Sequence, residues 1–187
     1  MLVLGFWYAL QVRPFRERMT ERILMEKGYE TFLPTYVRRR RRESKDRELA
    51  LFPGYFFCRF MSETNGMILT TSGVIRIVGV GRQPVPVPDQ EIEDVRAVIQ
   101  SGLPQQPWRS LPQGSRVRIE SGPLHSLEGD LVSCGRSRRL IVTITILQRS
   151  VAVELDSTTV VSVVRRPLVN GCNELERPRE LLSSYGR

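Results

Sequence analysis

The stretch Leu51-Phe52-Pro53-Gly54-Tyr55-Phe56-Phe57-Cys58-Arg59-Phe60 constrains the fold more than any other part of this chain. It opens at a Pro-Gly turn and is too apolar for one face of a strand to be fully wetted. Its pleat puts Tyr55 and Phe57 on one face and Phe56 on the other. One face must cover the helices of its sheet, which leaves the other to present aromatic rings outward. A second feature supports this reading: Arg116-Val117-Arg118-Ile119-Glu120-Ser121-Gly122-Pro123, then Leu127-Glu128-Gly129-Asp130, is a small-barrel pattern. The two features point to a protein that docks on other macromolecules rather than an enzyme.

At 187 residues there is room for one large or two small domains. The net charge of +8 favours a polyanionic partner. Half of that excess lies between Tyr36 and Glu48, where seven basic residues face three acidic ones. Cys58, Cys134 and Cys172 are odd in number and lack metal-ligand spacing, which fits a reducing compartment. Met1 to Leu10 is apolar but lacks a basic n-region and a cleavage site. No run reaches the ~18 apolar residues that span a bilayer. The expectation is a cytoplasmic protein with no membrane partner.

Strands are expected at 6–12, 31–37, 51–60 and 74–80. Pro14 is expected to start a helix, with Phe15, Met19 and Ile23 along its apolar face and Gly28 as its stop. Residues 62–71 read as short and partly helical. Asp89 caps a further helix with Glu91, Glu93 and Asp94 in its first turns and Ile92, Val95, Val98 and Ile99 as its apolar stripe. The order β-α-β-β-α-β plus a terminal helix indicates an α+β chain whose first domain, 1–102, is a ferredoxin-like α/β sandwich. Pro104, Pro107, Pro112, Gln105 and Gln106 make 103–113 a linker by composition. Five short strands then follow, at 116–120, 129–134, 140–147, 150–155 and 160–164. They read as a five-stranded SH3-like β-barrel spanning 114–165, since a flat sheet of that size would expose two edges. Residues 166–187 read as a flexible tail.

Four segments in this order resemble the NusG family of transcription elongation factors, built from an NGN domain and a KOW domain. They are Trp7-Tyr8-Ala9-Leu10, Phe52 to Phe57, Gly73 to Gly79, and Arg116 to Gly129. Tyr55 and Phe57 follow the aromatic pattern of the specialised, RfaH-like paralogues. The resemblance implies that the NGN domain binds the clamp helices of the largest RNA polymerase subunit and suppresses pausing. It implies that the KOW domain recruits Rho or a ribosomal protein. Phe52, Tyr55 and Phe57 become the expected polymerase-binding residues, with Val74 and Val80 mapped to the same pocket by position. Arg13 and Arg16 resemble a basic surface facing the non-template DNA strand, and ordinary solvation of a helix start explains them as simply.

Arg38, Arg39 and Arg40 open an arginine run through Arg42. Such a run is ordinarily a solvated loop; its functional reading is phosphate contact. Leu124, His125 and Leu127 lie in an expected loop at the barrel's end and are candidate contacts for the KOW partner. Gly129 reads as structural. His125 is the only histidine, so no metal site, cofactor or Ser/Cys–His arrangement is expected. The likeness implies a monomer acting by binding. The competing reading is an RNA- or ribosome-binding KOW protein that does not act on polymerase.

Overall fold

The computed structural model describes residues 5–38, 47–61, 65–108, 114–134, 137–156 and 158–164. The arginines 39–42, residues 109–113 of the expected linker and the expected tail lie outside them. In chain order the elements are β1 (Phe6–Val12), α1 (Glu17–Glu26), β2 (Glu30–Phe32), β3 (Thr35–Arg38), β4 (Arg47–Ala50) and β5 (Tyr55–Phe60). Then come α2 (Asn65–Leu69), β6 (Val74–Ile77), β7 (Gly79–Val80), β8 (Gln83–Pro84), β9 (Pro86–Val87) and α3 (Asp89–Gln100). The C-terminal half holds β10 (Gln105–Trp108), β11 (Ser115–Ile119), β12 (Glu128–Cys134), β13 (Ser137–Ile144), β14 (Arg149–Leu155) and β15 (Val161–Val163). The architecture is mixed α/β.

An antiparallel sheet in the order β2-β5-β1-β6, with β9 on β1, forms the N-terminal half. Two expected strands are broken. Pro34 ends the segment at 31–37, because it has no N–H for the ladder. The chain leaves β2 there, and β3 pairs with β4 as a separate hairpin. The segment at 74–80 stops at Ile77, and β7 turns back on β8.

The start of α1 also differs from expectation. Pro14 occupies the second position of a β-turn, Arg13 to Arg16, closed by the Arg16 N–H on the Arg13 carbonyl at 3.1 Å. The helix begins only at Glu17, so Phe15 lies outside it and Met19 is exposed. Thr20 and Leu24 face inward instead.

Tyr8, Leu10, Val12, Phe56, Cys58 and Phe60 on one sheet face join Leu24 of α1 and Ile68 of α2 in one core. Trp7, Ala9 and Phe57 on the other face join Ile92, Val95 and Val98 of α3. Arg96 of α3 locks this layer. Its guanidinium lies 5.2 Å from the Trp7 ring and 5.1 Å from the Phe32 ring, and pairs with Glu30 and Glu93.

The C-terminal half is an antiparallel sheet in the order β10-β14-β13-β12-β11-β15. It has six strands, not the expected five, because Gln105–Trp108 of the expected linker pairs with β14. The expected strand at 140–147 ends at Ile144, and Thr145–Leu147 form a 3₁₀ turn. Gly129 is structural, as expected: a Cβ there would come within 2.7 Å of the Ile141 carbonyl. Leu140, Val142, Ile144, Val151 and Val153 continue the core of α3, so the two halves share one apolar layer.

Candidate docking interface

The aromatic strand starts from a turn whose geometry follows from its sequence. Pro53 supplies the second residue, and Gly54, at φ +81°, supplies the third, where a type II turn requires positive φ. The Tyr55 N–H donates to the Phe52 carbonyl at 2.9 Å. The Gly54 N–H donates to the Glu17 carboxylate at 2.8 Å, and the Gly54 carbonyl accepts from the Val12 N–H at 2.9 Å. These bonds fix the start of β5 against the ends of β1 and α1.

The pleat divides β5 as the alternation indicates, but the second face is not open. Phe57 is 0% exposed, stacked 6.0 Å from Phe32 and edge-on to Phe52 at 5.7 Å. Phe52 is buried too. The expectation of an outward Phe57 is therefore corrected: α3 and neighbouring aromatics close over it. Tyr55 is the half-buried member of the three, and the Arg149 guanidinium of β14 sits 4.9 Å from its ring centre. A cation over an aromatic face is attracted by the ring quadrupole.

Tyr55 thus lies at the joint between the halves. Beside it a cleft of roughly 620 Å³ is lined by residues including Tyr36, Leu51, Pro53, Trp108 and Arg149. A second tie crosses from α3: the Glu91 carboxylate accepts from the Thr145 N–H at 3.0 Å and from its hydroxyl at 2.6 Å. One turn further along, burial pushes the Asp94 carboxyl up. Its hydrogen bond from Gln90 and the nearby Arg116 oppose that rise.

The expected polymerase-binding residues do not form one surface. Phe52, Tyr55 and Phe57 belong with the α3 face. Val74 packs instead against the core of α1 and α2. Val80 is 72% exposed on the β7–β8 hairpin. Arg13 and Arg16 are both exposed in the turn before α1. Arg38 is exposed at the end of β3, opposite Arg47, while Arg39 and Arg40 lie outside the described residues.

Two expected partner contacts are corrected. Leu124 and Leu127 are buried in the C-terminal core, because the chain folds back after Gly122. The His125 N–H donates to the Gly122 carbonyl at 3.1 Å, and the Ser126 N–H to the Ile119 carbonyl at 2.8 Å. That leaves His125 and Ser126 facing out.

Burial, with Glu30 nearby, pushes the Cys58 thiol up to about 12, which keeps it protonated and unreactive. Among the described residues no three His, Cys, Asp or Glu side chains are grouped to hold a metal ion. Sequence reasoning missed Arg149, Thr145 and the joint role of Glu91, which read there as ordinary helix-start stabilisation.

A model of the family described as "Transcription termination factor nusG" matches residues 5–96, from β1 into α3. Residues 5–96, about half of the chain, are thus similar to the NusG family. The Thermus thermophilus transcription termination/antitermination protein NusG is 29% identical over 180 residues, spanning 83% of this chain and 97% of that relative. The Borreliella burgdorferi NusG is 29% identical over 173 residues, spanning 80% and 94%. A solved structure described as "Domain interaction in Thermotoga maritima NusG" superimposes with a TM-score of 0.55 at 22% identity, covering 86% of this chain and 98% of that one. That last likeness is one of fold. The NusG family model ends within α3, whereas the two relatives also span most of the C-terminal half's length.

Proposed function

We propose that this chain is a NusG-family transcription elongation and antitermination factor acting by binding alone. The relatives' shared name, transcription termination/antitermination protein, supports the class of function. In this reading the N-terminal sheet with its three helices is the ferredoxin-like NGN domain, and the C-terminal sheet is the SH3-like KOW barrel. The NGN domain binds the clamp helices of the largest RNA polymerase subunit through the end of β5. Binding favours the closed-clamp state, so the pause-prone state is less populated. Exposed Arg13, Arg16 and Arg38 contact phosphates, including those of non-template DNA. The KOW domain recruits Rho or a ribosomal protein by an outward surface that includes His125. The protein works in the cytoplasm, and no described helix is long and apolar enough to cross a membrane.

One observation carries the reading: Tyr55, in the family's most distinctive strand, is half-buried with the Arg149 guanidinium of the C-terminal half over its ring. Docking through Tyr55 then requires the halves to part, with Arg149 and Thr145 releasing their partners. The test is binding of the full chain to purified core polymerase. Tyr55→Ala weakens binding about tenfold or more while the fold is retained, as for a central aromatic contact. Equal binding by a folded Tyr55→Ala variant contradicts the site. Recovery of ribosomes but never polymerase contradicts the reading in favour of an RNA-binding KOW protein.

A further inference from the structure

The cleft beside Tyr55 is built by both halves of the chain. Tyr36, Leu51 and Pro53 line it from the N-terminal half, and Trp108, Leu147 and Arg149 from the C-terminal half. Its volume of roughly 620 Å³ lies within the range of about 300–1,000 Å³ usual for small-molecule sites, which favour such domain joints.

The walls say what fits. Leu51, Pro53 and Leu147 are apolar, and the rings of Tyr36 and Trp108 add flat surface, so the body of a ligand is apolar as well. The charge on the lining has one sign: Arg149 carries it, and among the described residues no acid shares the cleft. Among the described residues, too, no carboxylate pairs with Arg149 and no acceptor takes its N–H groups. Its contact with the Tyr55 ring uses none of those donors. The Trp108 Nε1–H is a further donor, buried and without a partner among the described residues. A buried N–H with no acceptor has given up water and gained nothing in exchange, so an acceptor from outside the chain suits it. The Trp108 ring is half-buried in the cleft wall, and a small turn of that side chain offers its N–H to a ligand. These donors around one positive charge ask for one anionic acceptor. A planar carboxylate matches the guanidinium fork and balances a single charge, whereas a phosphate monoester brings nearly two.

We propose that this cleft binds a small amphiphilic carboxylate, with its apolar body on Tyr36, Leu51 and Pro53 and its carboxylate on Arg149 and the Trp108 N–H. Both halves supply walls, so the ligand binds the joined arrangement and not the parted one. It therefore holds the halves together. On the reading that polymerase docking needs the halves apart, on which this last step rests, the ligand opposes docking.

The test is isothermal titration calorimetry of the full chain with 4-phenylbutyrate, its neutral amide and 4-phenylbutyl phosphate, then core-polymerase binding with and without 4-phenylbutyrate. The carboxylate binds with a Kd of about 1 mM or tighter, as its size allows. The amide and the phosphate bind about tenfold more weakly. Arg149→Gln brings the carboxylate down to the affinity of the amide, and Arg149→Lys recovers part of the difference. Trp108→Phe keeps a ring in the cleft and weakens the carboxylate several-fold. At ten times its Kd, 4-phenylbutyrate lowers polymerase affinity about tenfold. A parent with no saturable heat for 4-phenylbutyrate overturns the site, as does equal binding of acid and amide or an Arg149→Gln protein that binds the acid like the parent. A phosphate that binds more tightly than the carboxylate overturns the choice of anion. Binding that Arg149→Gln weakens, with polymerase affinity unchanged by the ligand, upholds the site and overturns the parting of the halves. Polymerase docking itself is then judged by Tyr55→Ala alone.

Discussion

On one face of the N-terminal sheet, Phe56, Cys58 and Phe60 are covered by α1 and α2, helices joined to those strands by short stretches of the same half. On the other, Phe57 is covered by α3, but Tyr55 at its edge meets Arg149 of the C-terminal sheet. The first cover cannot leave without unfolding the half. The second is partly made by a sheet that arrives through β10 and is tied at Glu91 and Arg149. The contrast separates what makes the fold from what hides the proposed docking edge. Substitutions on the two faces should therefore read out differently.

The largest effect is expected on the closed face. Phe56→Ala removes a fully buried ring between β5 and the helices and should cost about 3–5 kcal/mol in urea unfolding. A cost near that of a surface substitution would mean that this face is not the permanent core. Next is Arg96, whose guanidinium lies over both the Trp7 and the Phe32 ring. Arg96→Ala loses two cation–π contacts and partly screened ion pairs, for about 1–3 kcal/mol. Arg96→Lys should recover only part, because an ammonium cannot stack on two rings at once.

A smaller change is expected at the joint. Glu91→Ala leaves the Thr145 N–H and hydroxyl without their carboxylate and should shift the closed arrangement by about 1 kcal/mol. Hydrogen exchange at the Thr145 amide should speed up while amides of β1 and β5 keep their protection. Loss of protection in both halves would show that they unfold as one unit.

The smallest effect concerns pH. Burial raises the Asp94 carboxyl in the folded state, so the fold binds that proton more tightly than the unfolded chain does. Its contribution to stability is full below the ordinary aspartate value of about 3.9 and is lost as pH rises through the higher folded value. Asp94→Asn should then flatten the pH profile across that window and melt slightly above the parent near neutrality. A variant whose profile keeps the parent's slope there would place the titration elsewhere.

Much of this was legible in the chain. Alternation assigned Phe56 and Phe57 to opposite faces of β5, and the 3.6-residue stripe of Ile92, Val95 and Val98 located the inner side of α3. Long, regular patterns survive because packing rewards every residue in them. The misses share a different cause. Pro14 has a backbone angle that suits both a helix start and a turn, so the sequence around it does not separate the two. Leu124 and Leu127 read as loop because they sit between turn residues, yet the fold-back after Gly122 points both inward. The cover over Tyr55 depends on how one half meets the other, and no local pattern encodes that meeting.

The central claim is that the edge of β5 binds polymerase once the C-terminal sheet leaves it. The most direct measurement is the affinity of the full chain for core polymerase in Arg149→Ala and Tyr55→Ala variants of equal thermal stability. The account predicts opposite signs: Arg149→Ala uncovers the ring and tightens binding several-fold, while Tyr55→Ala weakens it, alone and in the double variant. Weakening by Arg149→Ala, with Tyr55→Ala binding like the parent, would contradict it.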